Sequence, residues 1–176
     1  LVCDEEEIME SKVVSGVAYS RDEAKVTLVR VEDRPGIAAA IFGPLADAGV
    51  NVDMIVQNIS EVALGSAKGA TTDMTFSCPT NQVARAKKAL EEAVASGAIS
   101  YDKLVVDTDV AKVSVVGIGM RSHAGVAATM FKALSAENIN IKVIATSEIK
   151  ISVLIDRKYM ELAVQALHDA FALEKA

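Results

Sequence analysis

Apolar residues along the chain show the two spacings that distinguish strands from helices. The segment Lys25–Val31 is rich in β-branched residues, which predicts a strand. Ile37, Ile41 and Leu45 recur at every fourth position, which predicts a helix with one buried face. Three further elements follow: a strand at Asn51–Ile59, a strand at Thr71–Cys78, and a helix capped by Thr80 with Val83, Leu90 and Val94 buried.

Turn residues separate these elements. Asp33–Gly36 has the Asp-Arg-Pro-Gly sequence of a turn that opens a helix, and Gly49 predicts the left-handed end of that helix. Pro44 lies inside the helix and removes one backbone donor, so we expect a kink there. Glu61–Ala70 reads as a polar loop of unknown role.

The same order of elements occurs twice. Six of the sixteen positions that begin at Gly36 are identical to those 89 residues later, including Gly36 with Gly125 and Asn51 with Asn140. The chain is therefore a tandem pair of similar units rather than a solenoid of many short repeats. The second set of elements comprises strands at Val113–Ile118, Asn140–Thr146 and Lys150–Ile155, a helix buried through Val126, Met130 and Leu134, and a helix buried through Met160, Val164, Leu167 and Phe171.

Each unit reads as strand, helix, strand, strand, helix, which leaves two strands over. Leu104–Val106 completes the first unit as its fourth strand. No chain remains after the last helix, so Val13–Tyr19 is expected to fill the open edge of the second unit. This places the first βαββαβ unit as an insertion within the second, in an α+β protein.

Composition narrows the class of protein. The chain has 176 residues, a net charge of −6 and 51% apolar residues, which excludes an intrinsically disordered chain. The excess of acidic side chains and the absence of Trp argue against nucleic-acid binding. No apolar run reaches the ~18 residues of a membrane span, and no signal peptide is evident.

Cys3 and Cys78 predict two reduced thiols in a cytoplasmic protein. A start at Leu1 rather than Met suggests part of a longer chain.

Motifs for catalysis are missing from the sequence. Gly117 and Gly119 follow a strand, but Ser122 stands where a dinucleotide fingerprint needs its third glycine. His123 and His168 do not cluster with the cysteines, and His168 reads as a surface residue. We therefore expect no catalytic residue, no metal and no cofactor in this chain.

Polar residues collect instead at two strand–turn–helix corners. A small zwitterion suits such a corner, because its carboxylate can accept from helix-start amides and its ammonium can meet a carboxylate. Ordinary turn chemistry explains the same residue types. The first corner comprises Asp33, Gly36, Asn51, Asp53, Gln57, Asn58 and Ser60, and the second comprises Ser122, His123, Gly125, Asn140, Thr146, Ser147 and Glu148.

The motifs of these corners resemble the regulatory part of monofunctional aspartate kinases. The segments Asp33–Asn58 and Thr71–Phe76 are similar to the first ACT domain of that family, and Gly117–His123 to the second. The resemblance implies two ferredoxin-like βαββαβ ACT domains, residues 24–108 inserted in the domain formed by 13–23 plus 109–176. It also implies that residues 1–12 are a linker from a kinase catalytic domain, that two chains pair as a homodimer through their ACT domains, and that L-threonine, L-lysine or both inhibit the enzyme by feedback.

The resemblance also assigns residues to two effector sites. In the threonine-type site, Asp33 holds the ammonium, the helix start holds the carboxylate and Gln57 contacts the side chain. The sequence departs from the family at His123-Ala124-Gly125, where His-Pro-Gly is common. The threonine-type set is Asp33, Gly36, Ile37, Ala38 and Gln57, with Asn140 and Ile141 across the interface; the lysine-type set is Asp53, Ser122, His123, Gly125, Val126, Ser147 and Glu148.

Two other functions fit the same residues. One is a stand-alone amino-acid sensor that acts on a separate partner. The other is a dimerisation module without a ligand, which would show no thermal shift with any amino acid.

Overall fold

A computed structural model describes residues 14–59, 61–62, 69–118 and 124–173. The chain divides into two compact units. Unit A is Asp22–Thr108, and unit B combines the residues up to Arg21 with those from Asp109 onward. Unit A is therefore inserted in the sequence of unit B.

Eleven helices and strands make up the described part of the chain. Thr80–Gln82 and Arg157–Tyr159 form single 3₁₀ turns, each directly before an α-helix. No helix in these ranges is long and apolar enough to cross a membrane. The elements are β1 (Val14–Glu32), α1 (Ile37–Asp47), β2 (Ile55–Gln57), β3 (Glu61–Val62), β4 (Ala70–Pro79), α2 (Val83–Ala95), β5 (Lys103–Gly117), α3 (Ala124–Ala136), β6 (Val143–Thr146), β7 (Lys150–Asp156) and α4 (Met160–Ala170).

Each unit has the strand order of a ferredoxin-like βαββαβ fold. In unit A the order is β2-β4-β1-β5, with β3 also paired to β4, and in unit B it is β1-β5-β7-β6. β4 pairs antiparallel with β1, β2 and β3, and β7 pairs antiparallel with β5 and β6. The N-terminal part of β1 supplies the fourth strand of unit B, next to β5. The predicted α+β fold, with one unit inserted in the other, is confirmed.

Two long strands correct the predicted boundaries. Val13–Tyr19 and Lys25–Val31 were expected as separate strands, but a single strand, β1, runs from Val14 to Glu32. β5 likewise joins the predicted strands Leu104–Val106 and Val113–Ile118. No Gly or Pro interrupts either polar connection, so the backbone stays extended through it.

The second strand of each unit is shorter than predicted. β2 begins at Ile55 because the Met54 amide donates to the Ser77 side-chain hydroxyl at 3.0 Å instead of extending the backbone ladder. β6 begins only at Val143. The expected loop Glu61–Ala70 contains the short strand β3, and its residues 63–68 lie outside the described ranges.

Each unit buries its own hydrophobic core between its helices and its sheet. The predicted inward residues of α1 and α3 are all buried: Ile37, Ile41 and Leu45, and Val126, Met130 and Leu134. In α4 the prediction holds for Met160, Leu167 and Phe171, whereas Ala163 is buried and Val164 only partly so.

The predicted buried face of α2 is confirmed at Leu90 but not at Val94, and the predicted cap is wrong. Val94 is 41% exposed and Val83 only partly buried, and the face that points inward consists of Ala86, Ala89, Leu90 and Ala93. Thr80 does not cap the helix, because a 3₁₀ turn precedes it, and the Thr80 hydroxyl is buried without a hydrogen-bond partner among the described residues.

The end of α1 follows the sequence prediction. Gly49 has φ +74°, and the amides of Gly49 and Val50 donate to the carbonyl oxygens of Ala46 and Leu45 at 3.0 and 2.9 Å. Only glycine adopts this left-handed conformation without strain. The helix continues through Pro44 to Asp47.

Cys78 is a free, buried thiol, and it predicts a pH effect on stability. Burial, and secondarily the Glu23 carboxylate, raise the pKa of this thiol from 9.0 to about 11. The folded state therefore holds the proton more tightly than the unfolded state. The resulting stabilisation is present below pH 9 and is lost as the pH rises through the folded pKa; it is on the order of 2 kcal/mol.

We expect this pH effect to disappear in Cys78→Ala. Urea unfolding at pH 8 and pH 11 gives the free energy of unfolding of both proteins. The difference between wild type and variant should shrink by about 2 kcal/mol between the two pH values. Subtracting the free energy of unfolding of the variant from that of the wild type cancels the contribution of lysine and tyrosine titration. A difference between the two proteins that is the same at pH 8 and pH 11 would contradict the prediction.

Candidate functional site

The first corner forms at one end of the sheet of unit A. β1 and β2 both pair antiparallel with β4, so they run parallel to each other. Their last residues, Glu32 and Gln57, therefore lie at the same end of the sheet, where β4 begins. α1 also begins there, because it follows β1 after a turn of only four residues.

The turn before α1 leaves the helix start uncapped. Asp33 is partly buried, and its amide donates to the Ala70 carbonyl oxygen at 3.0 Å. Gly36 precedes the helix with φ +89°, and within the described ranges no side chain caps α1 and its first turn holds no acidic residue. The Ile37 amide donates to the Arg34 carbonyl oxygen at 3.2 Å, whereas the Ala38 amide has no acceptor within the helix. The helix dipole makes this end favourable for a carboxylate.

Gln57 stands on the other side of this corner. It is exposed at the end of β2, opposite Met74. The next residue, Asn58, is fixed through its backbone: its amide donates to the Asp73 carbonyl oxygen at 3.1 Å, and its carbonyl oxygen accepts from the Thr72 hydroxyl at 2.6 Å. The corner thus offers a carboxylate, helix-start amides and an amide side chain at one end of the sheet.

Two residues predicted for the first corner lie elsewhere. Asn51 and Asp53 precede β2, at the opposite end of the sheet from Gln57. The Asp53 amide donates to the Ser77 carbonyl oxygen near the end of β4, and the Asn51 amide donates to Gln82 Oε1 at 2.7 Å. The prediction placed Asn51 and Asp53 beside Gln57 because they are close in sequence. Strand β2 lies between them and runs along the sheet, so they are separated in the fold.

The second corner occupies the matching end of the sheet of unit B. Gly125 and the buried Val126 lie in the first turn of α3. Ser147 and the exposed Glu148 form the turn between β6 and β7, where Ser147 Oγ accepts from the Lys150 amide at 3.2 Å. Ser122 and His123 from this corner, and Ser60 from the first, fall outside the described residues.

Asn140 and Ile141 lie just before β6, away from the second corner. They line a shallow cavity of about 400 Å³ together with Phe131, Ser135, Asn138 and Ile139. Their place in unit B corresponds to that of Asn51 and Val52 in unit A. The prediction that Asn140 belongs to the second corner is therefore wrong for the same reason as for Asn51.

The two units differ in charge at one equivalent position. The Lys142 amide donates to the Leu154 carbonyl oxygen on β7 at 2.8 Å, as the Asp53 amide does to Ser77 on β4. The Lys142 ammonium is 2.7 Å from an Asp156 carboxylate oxygen. Among the residues that the structure describes, no group of three or more His, Cys, Asp and Glu side chains is arranged to hold a metal ion.

Comparisons with known proteins agree with the geometry. Two models of the ACT domain match, one over residues 25–95 and the other over 113–171. The regulatory subunit of aspartate kinase from Thermus thermophilus, solved in a ligand-free form, is 39% identical with a TM-score of 0.80, and the match covers 91% of this chain and 99% of that chain. The chain belongs to the aspartokinase family, as its regulatory part.

Other aspartokinases support this assignment. A crystal structure of aspartokinase alpha and beta subunits contains a chain that is 46% identical to this one, with a TM-score of 0.77. The match covers 91% of this chain and 99% of that chain. The aspartokinase of Pseudomonas aeruginosa is 52% identical over 171 residues, which is 97% of this chain but 39% of that protein. The chain therefore spans about two fifths of the length of the curated relatives it matches.

Proposed function

We propose that this chain is the amino-acid-binding regulatory module of an aspartate kinase, the enzyme of the first step toward lysine, threonine and methionine. In this proposal L-threonine, L-lysine or both bind the module and inhibit the kinase by feedback. The observation that carries it is the corner of Asp33, the uncapped start of α1 and Gln57, in a chain that belongs to the aspartokinase regulatory part. A free, buried Cys78 agrees with a cytoplasmic location.

The first corner supplies the groups that L-threonine needs. The Asp33 carboxylate would pair with the ammonium, and the start of α1, at Gly36, Ile37 and Ala38, would receive the carboxylate. Gln57 would contact the hydroxyl-bearing side chain. Asn140 and Ile141, supplied by a second chain, would close the site.

The second corner is proposed as the lysine-type site. A lysine ligand carries a second ammonium, and the exposed carboxylates of Glu148 and of Asp53 from the other chain offer it two partners. Because Lys142 stands where Asp53 stands in unit A, the two sites differ in charge, which favours different ligands. The remaining proposed contacts are Ser122, His123, Gly125, Val126 and Ser147.

A homodimer would bring these residues together. β2 is an edge strand of unit A and β6 an edge strand of unit B, and within the described ranges each is paired on one side only. Each exposes an isoleucine, Ile55 at 52% and Ile144 at 44%, so pairing between copies would cover apolar surface and satisfy backbone groups. If β2 of one chain paired antiparallel with β6 of another, Gln57 would lie near Asn140 and Ile141 of the second chain.

Inhibition would follow from linkage between effector binding and the arrangement of the paired domains. An effector that binds one arrangement more tightly shifts the population toward it, and such couplings are typically ~1–3 kcal/mol. The activity of the kinase catalytic domain would fall as this population shifts. Two effectors that order the same interface would each strengthen binding of the other.

Isothermal titration with L-threonine and L-lysine, alone and each in the presence of the other, tests the proposal. We expect micromolar to millimolar dissociation constants, with one affinity shifted by the other ligand, and a thermal shift that grows with ligand concentration. D-Threonine serves as the control because it presents the same groups with the wrong geometry. No heat from either L-amino acid on a folded dimer would instead favour a ligand-free dimerisation module.

A further inference from the structure

Strand β1 contains a β-bulge close to the first corner. Its register against β4 slips by one residue between Leu28, which pairs with Met74, and Val31, which pairs with Thr72. Val29 and Arg30 together therefore stand opposite Asp73. Arg30 has φ +55°, a left-handed conformation that is unfavourable for any residue with a Cβ atom.

Two aspartates hold the bulge. The Arg30 amide donates to Asp73 Oδ1 at 2.9 Å. The Arg30 guanidinium donates to Asp102 Oδ2 at 3.2 Å, and the Asp102 amide donates to the Val29 carbonyl oxygen at 2.8 Å. The Asp73 carboxylate and the Asp102 amide therefore hold the two sides of the peptide group between Val29 and Arg30, and the Asp73 bond is the one of these two that a side-chain substitution removes.

Asp73 also contacts the end of β2, on the Gln57 side of the corner. Its carbonyl oxygen accepts from the Asn58 amide at 3.1 Å, directly after Gln57. Its carboxylate fixes Arg30, three residues before Asp33. One residue of β4 thus joins the strand end that carries Asp33 to the strand end that carries Gln57.

The fold itself does not require this arrangement. In unit B, β5 pairs with β7 in unbroken register from Val110 to Val116, with no bulge. The hydroxyl pairs Thr27–Thr75 and Ser114–Ser152 occupy equivalent places in the two sheets, which puts Lys150 where Asp73 stands. A βαββαβ unit of this chain therefore forms without the bulge and without an acid at this position.

We propose that Asp73 is a positioning residue of the effector corner, which keeps the Arg30 bulge in place and so sets the distance between Asp33 and Gln57. This inference rests on the proposed function, because the corner has a ligand only if the chain binds an amino acid. The bulge is specific to unit A, so the effect should appear in L-threonine binding and not in L-lysine binding.

Three variants at two positions test the role of Asp73 by titration with L-threonine. Asp73→Ala removes the acceptor of the Arg30 amide and should weaken binding by about tenfold, the effect of one lost charge-assisted hydrogen bond. Asp73→Asn keeps an acceptor oxygen and should bind within about threefold of wild type. Asp102→Ala is the matched control, because it removes the side-chain partner of Arg30 but leaves the amide bond to Asp73.

A rescue experiment separates positioning from direct contact with the ligand. In Asp73→Ala/Arg30→Gly, glycine takes the left-handed conformation without help, so most of the lost affinity should return. A ligand contact of the Asp73 charge would leave Asp73→Asn as weak as Asp73→Ala and would give no rescue. Either result overturns the inference, as does an Asp73→Ala variant that binds like wild type.

Failure of the proposed function gives a different pattern. Wild-type protein that binds neither L-amino acid rejects the function, and with it the effector role of Asp73. Wild-type binding with no effect of Asp73→Ala rejects the positioning role alone. If Asp73→Ala does not fold, the double variant decides: binding near wild type supports the role, and a loss of about tenfold overturns it.

Discussion

Asp33→Ala should weaken L-threonine binding by about 10- to 100-fold, because the ligand ammonium loses its charged partner. The Asp33 amide is already bound to the Ala70 carbonyl oxygen at 3.0 Å, so the turn keeps this backbone anchor when the side chain is removed. The change should therefore act on affinity more than on folding. Isothermal titration of the variant gives the dissociation constant, and circular dichroism checks that the fold is intact.

Two controls define what this result means. Asp47→Ala removes an exposed carboxylate at the far end of α1 and should leave the affinity unchanged. Gln57→Ala should weaken threonine binding less than Asp33→Ala does, since a neutral contact is weaker than an ion pair. An Asp33→Ala variant with unchanged affinity would remove the threonine-type site from this corner, even if the chain still binds an amino acid elsewhere.

Phe76→Ala should lower the free energy of unfolding of unit A by about 3–5 kcal/mol. Phe76 is 1% exposed at the centre of its core, and its ring meets Phe42 edge-to-face with a centroid distance of 5.8 Å. The substitution leaves a cavity that the surrounding strand and helices fill only partly. Urea unfolding followed by circular dichroism gives the change in midpoint.

A matched pair of variants localises this effect. Val94→Ala, on the exposed side of α2, should change the free energy of unfolding by less than about 0.5 kcal/mol. Leu134→Ala should cost about 2–5 kcal/mol in the separate core of unit B. A Phe76→Ala protein as stable as the Val94→Ala protein would contradict the packing described for unit A.

Helix faces and the repeat could be predicted because both depend on local spacing. Ile37, Ile41 and Leu45 are buried because a helix brings every fourth residue to one side. The face of α2 could not be predicted in the same way. Its buried positions are mostly alanines, whose small side chains give a weak hydrophobic signal, and the 3₁₀ turn before it cannot be recognised from a cap motif.

The candidate site was partly predictable for a related reason. Asp33 and Gly36 belong to one turn, so their proximity follows from the sequence alone. Gln57 reaches the same end of the sheet only through the pairing of β2 with β4, and Asn51 is carried to the other end by the same strand. No motif marks Arg30 or Asp73, because a left-handed arginine depends on an acceptor 43 residues away.

By itself the sequence determined the two-unit repeat, the order of strands and helices, the insertion of one unit in the other and the turn that opens α1. These follow from the periodicity of apolar residues, the turn residues and the number of predicted strands. Each of these can be found from short segments of the chain. The tertiary structure alone decided the length of β1 and β5, the inward face of α2, the separation of Asn51 and Asp53 from the first corner, and the bulge held by Asp73. Each of these depends on hydrogen bonds or packing between residues distant in sequence, which no local pattern records.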